Sequence, residues 1–188
     1  IFLKSDFVPI DKNFLLSIAT CNAIHKLVSN KINDAKIKWP NDILVGKNKI
    51  CGILIENSIQ GDKFNNSIIG IGLNVNQEKF STSSNITSLK LETKTDQNKS
   101  LILDEFFSVL EKEIRLIVNK KIDVLKNYYF DNLLGYNIDL KYINTEFNTP
   151  FTGRIIDVKD NGLVEMETEN NEKLIFEMKE VKLSNFTN

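Results

Sequence analysis

Four polar side chains in one short stretch could do chemistry. Residues 35–56 read AKIKWPNDILVGKNKICGILIE, and they contain Lys38, Asn41, Asp42 and Lys49 between hydrophobic runs. A plain hairpin needs only a turn, whereas this stretch adds two cations, a carboxylate and an amide. Pro40 lacks an N–H, so the strand before it must stop or bulge. We therefore expect the amide and the carboxylate to stand at a strand end and to face a ligand.

Glycines recur in the strands that follow. Gly52, Gly70 and Gly72 interrupt runs of bulky residues, and Asn74 comes two positions after the last of them. A glycine inside a strand often marks close approach by a ligand or by another backbone. Taken alone, each of these features is explained as well by a hairpin with decorated turns. Together they predict a low floor for a flat ligand on one sheet.

Other catalytic patterns are weak or absent in this sequence. The GIG of residues 70–72 lacks the third glycine of a dinucleotide fingerprint, because Val75 stands there and no helix opens. There is no phosphate-binding P-loop, no zinc-ligand spacing and no Ser-His-Asp order. His25, the only histidine, lies on a predicted helix and is interpreted as a helix-surface or core-edge residue. Cys21 and Cys51 are interpreted as small core residues in a reducing compartment, the cytoplasm.

Composition narrows the class of partner. The 188 residues carry a net charge of −1, which gives no indication of phosphate-backbone binding to nucleic acid. No run of 18 apolar residues occurs, so we expect no membrane span. Of the 24 basic residues only Arg115 and Arg154 are arginines, so the first 114 residues contain none of the side chains that best fork onto phosphate.

The elements that must position these residues begin with a helix and four strands. Asp11 is the predicted N-cap of a helix whose apolar stripe includes Phe14, Ile18, Cys21 and Val28. Four strands are then predicted at AKIKW, DILV, KICGILIE and NNSIIGIGLNVN. GKNK should form a tight turn between the second and third, and SIQGDKFNN a looser turn between the third and fourth. The polar residues 76–100 are predicted to form a long surface loop.

Two helices and a second group of strands complete the chain. One helix is predicted in SLILDEFFSVLEKEIRLIVNKK and another in IDVLKNYYFDNLL. The predicted apolar stripe of the first comprises Leu103, Phe106, Phe107, Leu110, Ile114 and Ile117. From about residue 136 short strands dominate, and Asp160-Asn161-Gly162 predicts a type I′ hairpin. This pattern suggests a small barrel of the SH3 type at 135–188, after a first domain at 1–134.

Three stretches resemble biotin protein ligases. KWPNDILVGKNKICGILIE is similar to the family signature, which reads KWPND(I/L), a short turn, then K-(I/L/V)-(A/C/S)-G-I-L-(I/V/A)-E. IGIGLNVN resembles the next strand of the family, and GRIIDVKDNGLVEMET resembles its small C-terminal barrel. The resemblance runs through almost the whole chain. The first motif is highly specific and the barrel motif is much less so.

The resemblance implies a fold and an activity. The fold would be α+β, with a class II aminoacyl-tRNA synthetase-like catalytic domain, built on a mixed or antiparallel sheet with helices, and a C-terminal SH3-like small β-barrel. The activity would be the activation of biotin with ATP and Mg²⁺ to biotinyl-5′-AMP, followed by transfer to a lysine of a biotin carboxyl carrier protein, such as the carrier domain of acetyl-CoA carboxylase. The resemblance leaves a homodimer open.

It also implies roles for the polar residues and glycines. Lys49 matches the catalytic position, where a cation sits between a carboxylate and an α-phosphate. Asn41 matches a position that contacts adenine, and Asp42 one near the adenylate that could organise a lysine or Mg²⁺. Trp39 and Pro40 would shape the site. The rest of the implied biotin and adenylate set is Lys38, Gly52, Ile53, Gly70 and Gly72, with Asn74 near the adenine.

Two features of the family have no secure match. Its Gly/Arg-rich G-R-G-R-x-G-R loop and following W-x-S-P segment do not occur in these residues. Its basic residue near the C-terminus corresponds either to Lys182 or to Ser184. Two alternatives therefore stay open: a degenerate module that binds a ligand or a carrier without chemistry, and a lipoate ligase of the same fold. The KWPND motif argues against the second.

Overall fold

The computed structural model describes residues 1–80 and 85–184, which form an α+β fold with two antiparallel sheets. The first sheet has the strand order β1-β5-β4-β3-β2. Its strands are β1 (Phe2–Lys4), β2 (Ala35–Lys38), β3 (Asp42–Val45), β4 (Asn48–Gln60) and β5 (Lys63–Leu73). The helices are α1 (Phe14–Ser29), α2 (Leu89–Thr93), α3 (Lys99–Val118) and α4 (Ile122–Asp131).

The four predicted strands of this sheet are confirmed as β2 to β5, with two corrections. The strand β1 was not predicted, because three residues are too few to show a period. The prediction of a looser turn after β4 is wrong. β4 and β5 pair as far as Gln60 and Lys63, so only Gly61 and Asp62 lie between them. The polar ends of both strands are solvent-exposed and pair through their backbones, which hydrophobic patterning does not register.

Helix α1 covers one face of the sheet, and nearly all of its residues are buried. The prediction that Asp11 caps this helix is wrong, because Ile10–Lys12 form a separate 3₁₀ turn before it. The first N–H of the helix, that of Phe14, donates instead to the backbone oxygen of Asp160 at 2.9 Å. A distant hairpin turn thus supplies the partner that a capping side chain would otherwise provide.

Helix α3 is confirmed, but its buried stripe is rotated by about one residue. Leu103 and Phe107 are 52% and 45% exposed. The buried residues are Ile102, Phe106, Leu110, Glu113 and Ile117. Glu113 can face the core because Lys26 pairs with it at 2.6 Å and Asn22 donates to it. Sequence patterning places a glutamate in solvent, so it shifts the stripe away from this position.

The second sheet follows α4 and has the order β10-β6-β7-β8-β9. Its strands are β6 (Leu140–Asn144), β7 (Thr149–Val158), β8 (Val164–Thr168), β9 (Lys173–Phe176) and β10 (Val181–Leu183). The hairpin after β7 is confirmed, but its type is wrong. Gly162 has φ +94° whereas Asn161 is not among the residues with positive φ, and a type I′ turn needs two such residues.

That hairpin turn joins the second sheet to the first. The indole N–H of Trp39 donates to the oxygen of Gly162 at 3.2 Å. The carboxylate of Asp160 pairs with Lys126 at 3.0 Å and with Lys12 at 3.4 Å. Burial raises the pKa of Asp160, but the hydrogen bond and charge of Lys126, aided by Lys12, outweigh it, and the net pKa is lowered.

The polar stretch at residues 76–100 is only partly a loop. Residues 81–84 lie outside the described part of the chain, whereas α2 begins after Ser88, whose Oγ accepts from the N–H of Leu91. A helix of five residues gives too little periodicity to be predicted. In the part of the chain that the structure describes, no helix has the length and apolarity needed to cross a membrane.

Candidate functional site

A row of residues crosses the uncovered face of the first sheet. Lys38 lies opposite Asp42, Asp42 lies opposite Gly52, and Gly52 lies opposite Gly72, on β2, β3, β4 and β5 respectively. Directly opposed residues of neighbouring strands point to the same face. Four of the predicted site residues are therefore aligned on the face that α1 does not cover.

A β-bulge directs Lys49 to the same face. The register of β3 against β4 shifts so that Ile43 pairs with Cys51 and Leu44 pairs with Lys49, which leaves Ile50 as the extra residue. Strict alternation would put Lys49 on the side of Cys51, which is buried. The bulge buries Ile50 instead and turns the lysine toward the row.

The Lys49 ammonium reaches the carboxylate of Asp42. Nζ lies 2.5 Å from Oδ1, and the Nζ of Lys38 lies 3.7 Å from Oδ2. The side chain of Lys49 is 45% exposed and that of Asp42 is 17% exposed. Such a pair contributes at most about 1 kcal/mol to stability, so its main consequence is that it orients the ammonium group of Lys49. Two cations around one anion leave a local excess of positive charge that suits an anionic ligand.

The glycines of the row and beside it leave space above the sheet. A Cβ at Gly52 would lie 2.9 Å from the Nζ and 3.0 Å from the Cε of Lys49, so the lysine passes directly over this glycine. A Cβ at Gly72 would meet only the oxygen of Gly52, at 3.7 Å. At Gly70 the nearest atom would be the oxygen of Leu54, at 3.6 Å. The surface beside the ammonium is therefore low and uncovered.

Asn41 and Ile53 are tied to each other across the strand ends. Nδ2 of Asn41 donates to the oxygen of Ile53 at 2.7 Å, and the N–H of Ile53 donates to the oxygen of Asn41 at 2.9 Å. The Ile53 side chain is 3% exposed and belongs to the core, so only its backbone borders the site. Just before Asn41, the peptide bond between Trp39 and Pro40 is cis. The side chain of Trp39 is buried.

Asn74 and residues 85–87 form hydrogen bonds around the backbone of Lys49. The Lys49 N–H donates to the oxygen of Asn85 at 2.8 Å, and its oxygen accepts from the N–H of Thr87 at 3.0 Å. Nδ2 of Asn74 donates to the oxygen of Thr87 at 3.0 Å. Sequence reasoning missed residues 85–87. They lie in a polar Ser/Thr-rich stretch in which no pattern distinguishes a bound segment from a free loop.

A cleft of about 350 Å³ separates the row from the second sheet. Lys38, Asn41 and Leu54 form part of one wall, and Lys182 of β10 lies on the other. Ser184, the other candidate for the C-terminal basic position, follows the end of β10 and is half-buried. A ligand in this cleft would contact both the first sheet and the second sheet.

The remaining ionisable candidates are structural. His25 is 3% exposed, which places it in the core and not on the helix surface. Its ring nitrogens contact the hydroxyl of Tyr128 at 2.8 Å and the oxygen of Ala35 at 3.1 Å. Burial lowers its pKa, although the hydrogen bond to Ala35 acts in the opposite direction. Cys21 and Cys51 are free and buried, as predicted, and burial raises the pKa of Cys51 to about 12.

No protein-only metal site is present in residues 1–80 or 85–184, where no group of three or more His, Cys, Asp or Glu side chains could hold an ion. Asp42 is the single carboxylate in the row, and its oxygens already face two lysines. A divalent cation at this face would therefore have to bring most of its ligands with it.

Comparison with known proteins finds similarity to ligases. Residues 8–74, which include the whole row, match the sequence model of the biotin/lipoate A/B protein ligase family. This part of the chain is therefore similar to that family. The bifunctional ligase/repressor BirA of Bacillus spizizenii is 26% identical over 181 residues, which cover 94% of this chain and 55% of that protein. The chloroplastic biotin–protein ligase 1 of Arabidopsis thaliana is 31% identical over 121 residues, 62% of this chain and 33% of that protein.

Solved structures agree on the fold. The biotin protein ligase of Aquifex aeolicus without ligand superposes with a TM-score of 0.72 at 20% identity, covering 93% of this chain and 76% of that one. The same ligase in complex with biotin and ATP gives a TM-score of 0.70. The α+β architecture with antiparallel sheets and the resemblance to biotin protein ligases are thus confirmed. The chain spans about half the length of the bacterial curated relatives it matches.

Proposed function

We propose that this protein activates biotin with ATP to biotinyl-5′-AMP and transfers the biotinyl group to a lysine of a biotin carboxyl carrier protein. The observation that carries the proposal is the position of the Lys49 ammonium. It lies on the uncovered face, held by Asp42, beside the low surface at Gly70 and Gly72. Relatives named as biotin–protein ligases support the choice of substrate.

In the first step an oxygen of the biotin carboxylate would attack the α-phosphorus of ATP, and the bond from that phosphorus to pyrophosphate would break. Both reactants are anions, so a fixed cation between them lowers the barrier. Lys49 would supply this charge, with Asp42 holding its ammonium in place. Mg²⁺ would enter with ATP and neutralise phosphate charge, since the described residues include no group of three or more His, Cys, Asp or Glu side chains that could hold the ion.

In the second step the amine of the carrier lysine would attack the carbonyl carbon of biotinyl-5′-AMP. An amide bond forms, AMP leaves and the attacking nitrogen loses a proton. Lys49 would remain near the α-phosphate and stabilise the departing negative charge. Asn41 would present its amide to adenine, while Gly70 and Gly72 would lie under the biotin rings, with Gly52 and Lys38 beside the adenylate.

We extend the proposal to the architecture and location. Residues 1–134 would form a catalytic domain akin to class II aminoacyl-tRNA synthetases, and residues 135–188 an SH3-like barrel. Lys182 faces the cleft between them and is the better candidate for the basic position near the C-terminus. Two free, buried cysteines suit a reducing compartment, and we place the protein in the cytoplasm.

Exchange of labelled pyrophosphate into ATP tests the proposal. The exchange should depend on biotin, and Lys49→Ala should slow it by about 100-fold, the usual effect of removing one electrostatic stabiliser. Lys47→Ala is the matched control, because Lys47 is an exposed lysine in the turn just before β4. Equal rates for Lys49→Ala and Lys47→Ala would refute the role of Lys49. Exchange that depends on lipoate and not on biotin would refute the substrate.

A further inference from the structure

We propose that Asn74 is a positioning residue, which holds the bulge and the backbone clamp that turn Lys49 onto the reactive face. The proposal rests on the proposed function for its kinetic consequences, but its structural content stands on hydrogen bonds alone. It differs from the role that the family resemblance implies, in which the same side chain contacts adenine.

Lys49 lies beyond the end of its neighbouring strand. β5 ends at Leu73, which pairs with Cys51, so the regular ladder does not extend to Lys49. Residues 85–87 take the place of β5 at this level. They accept from the Lys49 N–H at 2.8 Å and donate to its oxygen at 3.0 Å through Asn85 and Thr87. This clamp holds the lysine backbone on the side where the ladder is missing.

Asn74 connects the clamp to the bulge. Its backbone N–H donates to the oxygen of Ile50, the extra residue of the bulge, at 2.9 Å. Its side-chain Nδ2 donates to the oxygen of Thr87 at 3.0 Å, and its backbone oxygen accepts from the N–H of Leu89 at 3.0 Å. One residue thus bonds both to the bulge that aims the lysine and to the segment that clamps it.

The chemistry of the side chain is specific to this arrangement. The partner is a backbone carbonyl, so the side chain must donate a hydrogen bond. An aspartate of the same size would place a carboxylate against that carbonyl, and an alanine would leave the Thr87 oxygen without this donor. Either change should loosen the clamp, and a displacement near 1 Å at a catalytic group can cost about 100-fold in rate.

Hydrogen exchange and kinetics together test the proposal. In Asn74→Ala, the amide hydrogens of Lys49 and Thr87 should exchange about five- to tenfold faster than in the wild type, as expected for one lost hydrogen bond. The kcat for biotin-dependent pyrophosphate exchange should fall about 10- to 100-fold, with the KM values for ATP and biotin nearly unchanged.

Asn76→Ala is the matched control. Asn76 lies two residues further on and also bonds to the backbone of the following segment, where Nδ2 donates to the oxygen of Gln97 and Oδ1 accepts from its N–H, both at 2.9 Å. Asn76→Ala should lower thermal stability as much as Asn74→Ala does. It should leave the kcat of pyrophosphate exchange and the rate of amide hydrogen exchange at Lys49 unchanged. Asn74→Asp, which keeps the size of the side chain, replaces Asn74→Ala should that variant fail to fold.

Two results would overturn the proposal. If the amide hydrogens of Lys49 and Thr87 exchanged at the wild-type rate in the folded Asn74 variants, the side chain of Asn74 would not hold the clamp, whatever the activity. A raised KM for ATP with unchanged kcat would show that Asn74 contacts the nucleotide. A wild-type protein without biotin-dependent activity would refute the proposed function, while the exchange experiment would still decide whether Asn74 holds Lys49.

Discussion

Replacing Gly52 with alanine separates the placement of Lys49 from the stability of the sheet. Gly52 does not have a positive φ, so alanine fits its backbone. The new Cβ would lie 2.9 Å from Nζ and 3.0 Å from Cε of Lys49, and 3.6 Å from Oδ1 of Asp42. The three atoms nearest to this Cβ all belong to side chains and none to the backbone. The flexible end of the lysine must therefore move, and the sheet need not.

The magnitudes follow from these distances. The ammonium must move by at least about 0.5 Å to reach an ordinary contact distance from the new Cβ. Because Lys49 is 45% exposed, a weaker pair with Asp42 costs less than about 1 kcal/mol of stability. Replacing a strand glycine stabilises by about 0.5–1 kcal/mol, so the two effects nearly cancel. Activity should nevertheless fall about 10- to 100-fold, because the cation no longer stands at its site.

Thermal unfolding and biotin-dependent pyrophosphate exchange measure the two effects separately. For Gly52→Ala we expect a Tm within a few degrees of the wild type and a lowered kcat. Gly72→Ala is the matched comparison, since its Cβ meets only the Gly52 oxygen at 3.7 Å and does not touch Lys49. It should raise the KM for biotin and leave kcat close to that of the wild type.

One pattern of results would refute this reasoning. If Gly52→Ala exchanged pyrophosphate as fast as the wild type, the position of Lys49 over this glycine would have no catalytic consequence. If both glycine variants raised only the KM for biotin, Gly52 would belong to the floor under the ligand and not to the path of the lysine.

Two further predictions concern residues that connect the second sheet to the rest of the chain. Asp160→Asn should cost about 1 kcal/mol at pH 7, because it removes the ion pairs with Lys126 and Lys12. Since the folded pKa of Asp160 is lowered, this contribution is present above its ordinary value of 3.8 and lost as pH falls through the folded pKa. The difference in urea unfolding between wild type and variant should therefore be smaller at pH 3 than at pH 7, and equal differences at the two pH values would contradict the pairing. Gly135→Ala should destabilise by about 3 kcal/mol, because φ is +83° and its Cβ would lie 2.2 Å from the buried Tyr142 hydroxyl. Gly61→Ala has φ +65° but nothing within 4 Å, so it should cost only about 1 kcal/mol, and equal losses would show that the backbone alone decides.

Most elements with a clear hydrophobic pattern could be predicted from the sequence. The strands β2 to β5 and the helices α1, α3 and α4 were predicted one by one, and the second sheet only as a group of short strands. The elements missed were short, as with β1 and α2, or depended on distant partners. The start of α1 relies on the oxygen of Asp160, and the buried face of α3 relies on a lysine from another helix. Local sequence contains neither partner.

The candidate site divides in the same way. The facing positions of Lys38 and Asp42 follow from two strands joined at a short turn, and the glycines from the period of two that strands obey. The attachment of residues 85–87 to Lys49 does not follow, because it depends on a contact between segments that are far apart in sequence. Asn74 was selected as a site residue from its place after the strand glycines, and the resemblance added a role near adenine, but its hydrogen bond to Thr87 could be inferred from neither.

The spacing of Lys49 and Gly52 shows how a bulge can be encoded without a visible signal. Their positions differ by three, and in a regular strand an odd difference puts two side chains on opposite faces. The structure places the lysine over the glycine, so one residue between them must be extra, and Ile50 is that residue. The identity of Ile50 does not distinguish a regular strand from a bulge, because isoleucine is typical of strands in general. Only the requirement that the cation and the glycine share a face distinguishes them, and that requirement comes from the chemistry of the site.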